Sequence, residues 1–372
     1  MIEYVEIRDD KAEIIGIIDT ARSVIWRSVY FGVGDFEIQA AATPDIITLL
    51  QAGRYVTRPD NDDVGIVEAI YIPEDAESGA TITASGRFVK SILDRRLIYN
   101  LSGNSNKATI LRGNVENAVR EVVKNNAIAC PFDSTRNISM LALGAAAGFA
   151  SVIVDANGNA AQKQVSYENL LTYTDGVLEE YGLAAKCILQ DGTFLYTVYG
   201  GANRSVTNAD GNAPVIFSKE FDNLTTSEYT YDTTQEKNVA LIGGEGEGLA
   251  RFYSLITKGK SGLQRREIFV DAANISKKYK DESDVEQTYT DAQYKTMLDA
   301  KGTQTLAPLV VSETFNGTLD ATNGNYVYGR DFALGDIVTV QDQNVGRYVN
   351  ARISEALEYQ DANGYAVEVK YQ

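Results

Sequence analysis

The chain has 372 residues, which is too long for one hydrophobic core and predicts about two to four domains. Aspartate and glutamate number 51 against 34 lysine and arginine, and the net charge of −17 argues against a general nucleic-acid binder, which needs a basic face. Histidine is absent, which excludes serine–histidine and cysteine–histidine catalysis and histidine-ligated zinc.

Residues 1–101 have the pattern of a β-rich domain. Period-two alternation predicts strands over 2–8, 12–19, 23–31 and 35–40. Thr43 is typical of a helix N-cap and is followed by proline at the first helical position, which predicts a short helix over 44–50. A set of β-hairpins is expected over 53–83, and 86–96 is predicted to close the domain as a turn of helix.

Residues 102–205 are predicted to form an inserted α+β domain. The polar stretch 102–106 is interpreted as a linker, and Asn114 is typical of the cap of a helix over 115–125. Two further helices are expected in succession, over 167–173 and 174–182. Asx-Gly turns predict β-hairpins around 155–159 and around Asp191–Gly192.

The rest of the chain is predicted to build a second β-domain that carries a small insertion. Residues 206–237 are interpreted as return strands and a linker to the first domain. Strands are expected over 238–242, 251–257 and 265–270. The polar block 272–325, with its best helix over 291–299, is predicted to be a small inserted helical and loop domain. The second β-domain is therefore assigned to 238–271 and 326–372.

The chain ends in a meander of antiparallel strands that resembles a stretch near its beginning. The predicted strands are 335–340, 345–353 and 365–371, with turns at 342–344 and 361–364. Gly53, Val56, Asp60, Val64-Gly65, Ile70, Gly79 and Ile82 fall in the same order as Gly335, Val338, Asp342, Val345-Gly346, Ile353, Gly364 and Val367. Either the chain holds two copies of a β-module or two hairpin sets match by chance, and the sequence leaves both open.

Residues 243–248 form a glycine-rich stretch that suggests a phosphate loop. A Walker loop needs Gly-Lys-Ser or Gly-Lys-Thr at its end, and a dinucleotide fingerprint needs a following helix. Here Glu245 and Glu247 would repel phosphate, and a strand is predicted to follow. We therefore interpret the stretch as a bulge or a tight crossing between strands.

Acidic residues suggest two other kinds of site. The turns 155–159, 208–212 and 320–324 resemble calcium loops but lack the glycine position and the twelfth-place glutamate of an EF-hand. The pairs Glu245 with Glu247 and Glu179 with Glu180 could serve a glycosidase, yet adjacent residues point to different faces, and such pairs arise by accident in so acidic a chain. No catalytic residue, metal ligand or cofactor is assigned.

The remaining reactive, basic and apolar residues have ordinary structural interpretations. Cys130 and Cys187 are interpreted as free, buried thiols, although pairing between them stays open. The clusters 95–96 and 265–266 are interpreted as ion-paired ends of strands or helices. The longest apolar run, 138–154, is too short to span a membrane, and the N-terminus has no signal-peptide pattern. We therefore expect cytoplasmic synthesis and no membrane insertion.

Five stretches with no chemical meaning of their own carry a family resemblance. They are FGVGDFEIQAAAT (31–43), GRFVKSILDRR (86–96), GGEGEG (243–248) with RREIFVD (265–271), and YGRDFALGDIV (328–338). Together they resemble the tail hub, or baseplate hub, proteins of long-tailed bacteriophages over nearly the whole chain. The resemblance implies two related β-barrel-like hub domains, a third domain inserted after the first, and a small fourth one inserted in the second.

The same resemblance implies an assembly. In that family three copies form a ring that closes the distal end of the tail tube, so a homotrimer at the virion tail tip is expected. A distal tail protein ring would lie above it and a tail fibre or tip protein below it, with the tape measure protein as a further partner and DNA passing through without specific binding. The chain stops at Gln372 after its last strand, so the C-terminal peptidoglycan hydrolase of some relatives is not expected.

The sequence therefore predicts a structural tail hub, mainly β with α+β insertions, and not an enzyme. The alternatives are a tail-associated glycan hydrolase that uses carboxylates, and a carbohydrate-binding β-protein. If the repeat is real, residues 1–100 should alternate with 238–270 plus 326–372 around a trimeric ring, with the insertions 102–205 and 272–325 outside it. A DNA channel through the ring should have an acidic wall.

Overall fold

The computed structural model describes residues 2–75, 79–155, 159–280, 285–319, 326–342 and 346–372. In these ranges an eleven-stranded, a seven-stranded and a three-stranded sheet make up the architecture, with two-stranded ribbons beside them. This confirms the predicted fold class, mainly β with α+β insertions. No helix within the described ranges is both long and apolar enough to cross a membrane.

The first β-unit comprises residues 2–87. Its strands are β1 (Val5–Arg8), β2 (Ile14–Ile18), β3 (Ser23–Val29), β4 (Asp35–Ala41), β5 (Tyr55–Arg58), β6 (Asn61–Ile66), β7 (Ala69–Tyr71), β8 (Glu74–Asp75) and β9 (Gly79–Arg87). Buried residues alternate along β3 and β4, which brings Trp26 and Phe36 into the core from neighbouring strands. Helix α1 (Pro44–Leu49) begins as predicted, because the Thr43 hydroxyl accepts the N–H of Ile46. The predicted closing turn is a 3-10 helix over Val89–Arg95.

The inserted α+β unit spans residues 101–199. Its strands are β10 (Leu101–Ser102), β11 (Ser105–Asn106), β12 (Thr109–Arg112), β13 (Leu141–Leu143), β14 (Gln162–Val165), β15 (Ala184–Gln190) and β16 (Thr193–Tyr199), and its helices are α2 (Val115–Val123) and α3 (Leu170–Glu180). Asn114 caps α2 as predicted, by accepting the N–H of Asn117 at 3.0 Å. Strand β15 forms the predicted hairpin with β16 and also pairs with β6, so the inserted unit extends the sheet of the first β-unit.

One continuous helix, α3, replaces the two helices predicted over 167–173 and 174–182. Asn169 caps it, and Thr174 lies inside it with its hydroxyl donating to the carbonyl of Leu170 at 2.7 Å. Because the hydroxyl is satisfied within the helix, Thr174 does not open a second one.

The remaining elements follow residue 206. They are β17 (Ile216–Ser218), β18 (Leu224–Asp232), β19 (Val239–Gly243), β20 (Tyr253–Thr257), β21 (Glu267–Asp271), β22 (Lys278–Lys280), β23 (Glu286–Thr288), α4 (Asp291–Leu306), β24 (Ser312–Leu319), β25 (Ile337–Asp342), β26 (Arg347–Asp361) and β27 (Gly364–Tyr371). Strands β25, β26 and β27 form the predicted C-terminal meander. Its second turn joins Asp361 to Gly364 as predicted, whereas residues 343 and 344 of the first turn lie outside the described ranges.

The predicted grouping of 238–271 with 326–372 needs correction. Strands β20, β19 and β21 form a separate sheet, and in the described structure they pair with one another and with no strand of the meander. The core that this sheet shares with α4 includes Ala240, Ile242, Tyr294 and Met297. Gly302 allows the helix to approach closely, since an added Cβ would lie 2.7 Å from Ile242. These elements form one body, the small α/β unit (residues 239–306).

Residues 206–237 contribute strands to the second β-unit and not, as predicted, to the first. Instead of returning to the first domain, β17 pairs with β25 and β18 pairs with β24. Phe217 of β17 packs against Phe332 and Tyr371, with ring centres 5.0 and 5.9 Å away. The second β-unit is therefore made of residues 216–232 and 312–371, and the small α/β unit is inserted between β18 and β24.

The two β-units share a strand order, which supports the internal repeat. Neighbouring strands run β3, β4, β9, β7 in the first and β18, β24, β27, β26 in the second. The proposed match of Ile82 with Val367 fits this order, because Ile82 pairs with Ala40 in β4 and Val367 pairs with Leu319 in β24. The match of Gly65 with Gly346 fails, since Gly65 lies inside β6 whereas Gly346, with φ +66°, precedes β26. A second difference is that β1 pairs antiparallel with β5 but β17 pairs parallel with β25.

A close backbone crossing joins the inserted unit to the second β-unit at Gly201. An added Cβ there would lie 1.8 Å from the carbonyl oxygen of Gly335. We expect Gly201→Ala to lower the free energy of unfolding, measured in urea, by about 1–3 kcal/mol. Gly176→Ala in α3 is the matched control, because an added Cβ there would lie 3.5 Å from the flexible Gln304 side chain. The control should gain roughly 0.5–1 kcal/mol, and an unchanged Gly201→Ala chain would argue against the crossing.

Candidate functional site

The two β-units meet along strands β3 and β26, which we call the β3–β26 junction. Antiparallel pairing runs from Val24 opposite Gln360 to Val29 opposite Glu355. The large sheet therefore continues without a break from β18 through β24, β27, β26, β3, β4 and β9 to β7. Backbone hydrogen bonds thus fix the orientation of one β-unit on the other.

A buried ion pair crosses this junction. Two terminal nitrogens of Arg58 each donate to the Glu358 carboxylate at 3.0 Å, and the two side chains are only 1% and 6% exposed. Asp60 accepts from the same guanidinium at 2.7 and 3.0 Å, and the Trp26 ring centre lies 5.4 Å from it. Burial disfavours the charged guanidinium, but its bonds to Asp60 and the charge of Glu358 outweigh that effect and raise the pKa of Arg58. The pair joins the two β-units through side chains as well as backbone.

Glu358 is saturated by further donors. The Tyr365 hydroxyl donates to it at 2.6 Å and the Asn61 amide at 3.4 Å. Burial and the charge of Glu358 raise the pKa of the Tyr365 hydroxyl well above its ordinary value. A carboxylate held by Arg58, Tyr365 and Asn61 together has a structural role, because its lone pairs are already occupied.

A groove of roughly 970 Å³ lies beside the junction. Its acidic lining residues are Asp60, Asp62, Asp63, Asp336 and Glu358, and its tyrosines are Tyr199, Tyr326, Tyr328 and Tyr365. Asp336 is also engaged, since it accepts the N–H of Ala202 at 2.7 Å and a bond from Arg204 at 2.9 Å. Within the described ranges, His, Cys, Asp and Glu residues form no group of three that could hold a metal ion.

Asp63 is a carboxyl group in the groove whose ionised form is disfavoured by burial. Burial raises its pKa above 3.8, and the Ser28 hydroxyl, which donates to it at 2.6 Å, offsets part of that effect. A raised folded-state pKa means that Asp63 favours folding below the unfolded-state pKa, and that this contribution is lost as pH rises through the folded-state value.

We therefore expect Asp63→Asn to raise the urea midpoint of unfolding at pH 7 and to do so less at pH 3. Asn keeps the size of the side chain but cannot carry the charge that burial disfavours at neutral pH. The control is Asp62→Asn, because the neighbouring side chain is 73% exposed and should change little at either pH. Equal effects of Asp63→Asn at both pH values would contradict the prediction.

Tyr30 fastens the inserted unit to both β-units. Its hydroxyl donates to the carbonyl of Gly182 at 2.9 Å and accepts the N–H of Gly201 at 3.2 Å. The Arg352 guanidinium of β26 lies 5.2 Å from the centre of the same ring. Burial raises the pKa of the Tyr30 hydroxyl, which stays protonated and able to donate.

The carboxylate pairs considered for catalysis lie away from the groove. Glu245 accepts the N–H of Lys277 at 2.8 Å, and Glu247 is an exposed loop residue. Glu180 pairs with Lys163 at 2.8 Å. Burial and the charge of Asp175 raise the pKa of Glu179. None of the four glutamates lines the groove.

The glycine-rich stretch 243–248 joins two antiparallel strands, β19 and β20, as the strand interpretation predicts. Arg251 folds back over it and donates to the carbonyls of Gly243 and Gly244 at 3.0 Å. At Gly244 an added Cβ would lie 2.6 Å from the Tyr294 hydroxyl, so the loop crosses closely over α4. A short 3-10 helix over Gly248–Ala250 follows it, with no α-helix for a dinucleotide to sit on.

The Asx turns considered for calcium are only partly described. The turn 208–212 is held by the Asn208 amide, which donates to the carbonyls of Ser205 and Asn212 at 2.6 and 3.2 Å. Val154 and Ala160 form an antiparallel bridge across the turn 155–159. Residues 156–158 and 320–324 lie outside the described ranges.

The two cysteines and the basic clusters have structural roles. Cys130 and Cys187 are buried and free, and burial raises the pKa of the Cys187 thiol to about 12. Arg265 pairs with Glu267, and Arg266 pairs with Glu236 at 3.5 Å, as the ion-pair interpretation predicts. Arg96 differs, because it donates to the carbonyl of Arg136 at 2.8 Å.

Exposed apolar side chains are grouped on several strands of the described structure, among them the edge strand β2 with Ile14, Ile15 and Ile17. The edge strand β7 and the residue after it expose Ile70, Tyr71 and Ile72. The outer face of the β20–β19–β21 sheet exposes Leu241, Tyr253, Leu255 and Phe269. Such groups on a folded chain mark surfaces that other protein chains cover.

None of the junction residues was predicted from the sequence as part of a site. Arg58 and Glu358 are 300 positions apart and belong to no motif. One signal was present, because Glu358 occupies an inward position of β26, two residues after the buried Ala356. A charged residue on the apolar face of a strand requires a buried partner of opposite charge, although alternation cannot say which one.

Known proteins resemble this chain both in sequence and in fold. The family model described as Siphovirus ReqiPepy6 Gp37-like protein matches residues 4–371. No curated protein matches the sequence. Among solved structures, the fold is similar to that of the prophage MuSo2 43 kDa tail protein from Shewanella oneidensis, with TM-score 0.59 and 13% identity over 100% of this chain and 98% of that one.

Two further structures share the fold. A tail protein from Neisseria meningitidis MC58 is similar with TM-score 0.57 and 15% identity, over 99% of this chain and 95% of that one. Prophage tail protein gp18 from Listeria monocytogenes EGD-e is similar with TM-score 0.51 and 12% identity, over 99% and 94% of the two chains. At these sequence identities, the similarity shows a shared fold and nothing more.

Proposed function

Since the chain belongs to the Siphovirus ReqiPepy6 Gp37-like protein family, whose match covers 4–371, we propose that it is the structural hub of a phage or phage-like tail. In this proposal three copies form a ring at the distal end of the tail tube. The β3–β26 junction carries the proposal, because it joins two β-units of like strand order side by side in one sheet. Three such chains supply six similar positions around one axis, which suits a hub between a six-fold tube and a three-fold tip.

The other units occupy the outside of the ring in this proposal. The inserted unit (101–199) contributes β13, β16 and β15 to the seven-stranded sheet, and the small α/β unit (239–306) is inserted between β18 and β24. A distal tail protein ring lies above the hub, and a fibre or tip protein lies below it, with the tape measure protein as a third contact. The exposed apolar face of β20–β19–β21 supports an assembly role, because a protein that works alone rarely exposes such a face.

The DNA channel is lined, in this proposal, by the face of the large sheet opposite its core. Outward positions include Glu37 and Glu368, while Arg27 and Lys370 on the same face are held by Asp35 and Glu355. Such a wall offers few free cations to phosphate, so a duplex would pass without sticking. A structure of the assembled ring with a basic lumen would contradict this part.

The experiment that tests the hub is imaging of the purified full-length chain. Negative-stain micrographs and mass photometry should show rings of three chains with a central hole. A chain that stays monomeric or forms a dimer at every concentration would overturn the proposal.

Activity is tested separately with labelled bacterial cell walls. We expect no release of soluble sugar or peptide, because the groove carboxylates Glu358 and Asp336 are engaged by arginines of the fold. Release by the purified chain, lost in a variant of a groove carboxylate, would favour the hydrolase alternative.

A further inference from the structure

We propose that neighbouring copies of this chain join by strand pairing, with the outer edge of β18 in one copy against the outer edge of β7 in the next. The inference deepens the ring proposed above and rests on it. Strands β18 and β7 are the two ends of the large sheet, and in the described ranges each has a strand neighbour on one side only. The run of eight paired strands from β18 to β7 therefore ends in two different edges.

The internal repeat says which residues of the two β-units correspond. In the first unit Gly86 of β9 pairs with Phe36, and in the second unit Tyr371 of β27 pairs with Phe315. Gly86 and Tyr371 are 285 positions apart in the sequence, as are Ile82 and Val367 of the same two strands. Continuing outward, Trp26 pairs with Phe36 and Tyr229 pairs with Phe315. Trp26 of β3 therefore corresponds to Tyr229 of β18, and Ser28 corresponds to Tyr231.

The other side of the junction is matched in the same way. Ile70 of β7 pairs with Ala84, and Ala356 of β26 pairs with Val369, which is the equivalent of Ala84 at the same offset. Ile70 therefore corresponds to Ala356 and not to Ile353, as the sequence pattern suggested. Inside one chain, β3 pairs with β26; between chains, the equivalent strands are β18 and β7.

Transferring the internal register gives a specific interface. Ser28 lies opposite Ala356, Arg27 opposite Leu357, and Trp26 opposite Glu358. The corresponding pairs between two copies are Tyr231 with Ile70, Thr230 with Tyr71, and Tyr229 with Ile72. Of these residues, Tyr229 is half-buried and its hydroxyl donates to Glu313 at 2.8 Å, whereas the other five side chains are exposed.

Exposure supports this transfer. At the internal junction Ser28 is 4% and Ala356 1% exposed, whereas their counterparts Tyr231 and Ile70 are 58% and 37% exposed. Tyr71 and Ile72 are also exposed, at 68% and 44%. The buried positions Ser28, Ala356 and Glu358 thus correspond to the exposed side chains of Tyr231, Ile70 and Ile72 at the two edges. An apolar edge strand left open would aggregate, and pairing with a second copy removes that hazard.

A second copy is the occupant that this geometry specifies. Each chain carries one edge of each kind, so the contact is head-to-tail and continues from copy to copy until the ring closes. A strand from an unrelated protein would cap one edge and leave the other exposed.

The test is a disulfide between opposed edge residues. In the full-length chain carrying Thr230→Cys and Tyr71→Cys, oxidation should convert monomer on non-reducing gels into dimer and closed trimer, because residues directly opposed in a sheet lie within disulfide reach. Oxidised parent chain should stay uncross-linked, since Cys130 and Cys187 are buried. Glu228→Cys with Tyr71→Cys is the matched control, because these positions would be roughly 8 Å apart in the proposed register and beyond that reach.

The outcomes separate this inference from the ring itself. Rings of three chains with no Thr230–Tyr71 cross-link, or with equal cross-linking of the Glu228 control, would overturn the edge pairing and leave the ring in place. A chain that neither forms rings nor cross-links would overturn both. Ile70→Lys offers a second readout: an unchanged circular dichroism spectrum with loss of the ring is expected, and rings that persist would count against the pairing.

Discussion

Replacing Arg58 by alanine is expected to lower the free energy of unfolding by about 3–5 kcal/mol, because removing one member of a buried ion pair leaves the other charge without compensation. The remaining charge is Glu358, which is 6% exposed and keeps Tyr365 and Asn61 as neutral donors. The loss also opens space beside Trp26 at the β3–β26 junction. Urea unfolding followed by the fluorescence of Trp26, the only tryptophan, reports on this site directly.

Two controls make the Arg58 result specific. Arg330→Ala removes an arginine that is 67% exposed and paired with Asp331, and should change stability by less than about 0.5 kcal/mol. The double variant Arg58→Met with Glu358→Met should recover much of the loss, because no buried charge is left unpaired. If Arg58→Ala behaved like Arg330→Ala, the pair would not hold the two β-units together.

The elements that sequence predicts well are those fixed by neighbours along the chain. The Thr43 and Asn114 caps, the hairpin around Asp191–Gly192 and the C-terminal meander all depend on contacts within a few residues. The alternating burial along β3 and β4 was predictable from the sequence for the same reason, because alternation is a property of a single strand.

The elements that sequence misassigned depend on distant pairing. Strand β19 has the same local pattern whether it joins the meander or a sheet of its own, and only its packing against α4 decides between them. Likewise, nothing within 216–232 shows that β18 pairs with β24, which lies beyond the whole small α/β unit. A strand pattern gives the buried face of a strand but not the identity of its neighbour.

The candidate site was unpredictable for a related reason. The junction is made of ordinary residues, Arg58, Glu358 and Trp26, which become a site only when β3 and β26 meet. The internal repeat was the sequence feature closest to function, yet its proposed boundaries included 238–270 and omitted β17, β18 and β24. Strand pairing corrected those boundaries and, with them, the register from which the interface between copies is inferred.

Glu116 provides the other large effect, in the inserted unit. It lies in α2 with 1% exposure, and its carboxylate accepts three backbone N–H groups, from Ala147 at 2.7 Å, Gly148 at 2.8 Å and Phe149 at 3.1 Å. An acid at an inward helix position thus supplies the acceptors that an irregular segment cannot supply for itself.

Glu116→Ala is expected to cost about 3–5 kcal/mol, because it leaves several buried donors unsatisfied and each carries a desolvation penalty. Glu116→Gln should fall between parent and alanine, since the amide keeps one oxygen but turns an N–H₂ toward the same donors. Glu121→Gln is the control, because Glu121 lies on the same helix and is exposed, and it should change stability by less than about 0.5 kcal/mol. Urea unfolding measures the cost. Amide hydrogen exchange should speed up at Ala147, Gly148 and Phe149 in the alanine variant, and unchanged protection there would show that other groups hold the segment.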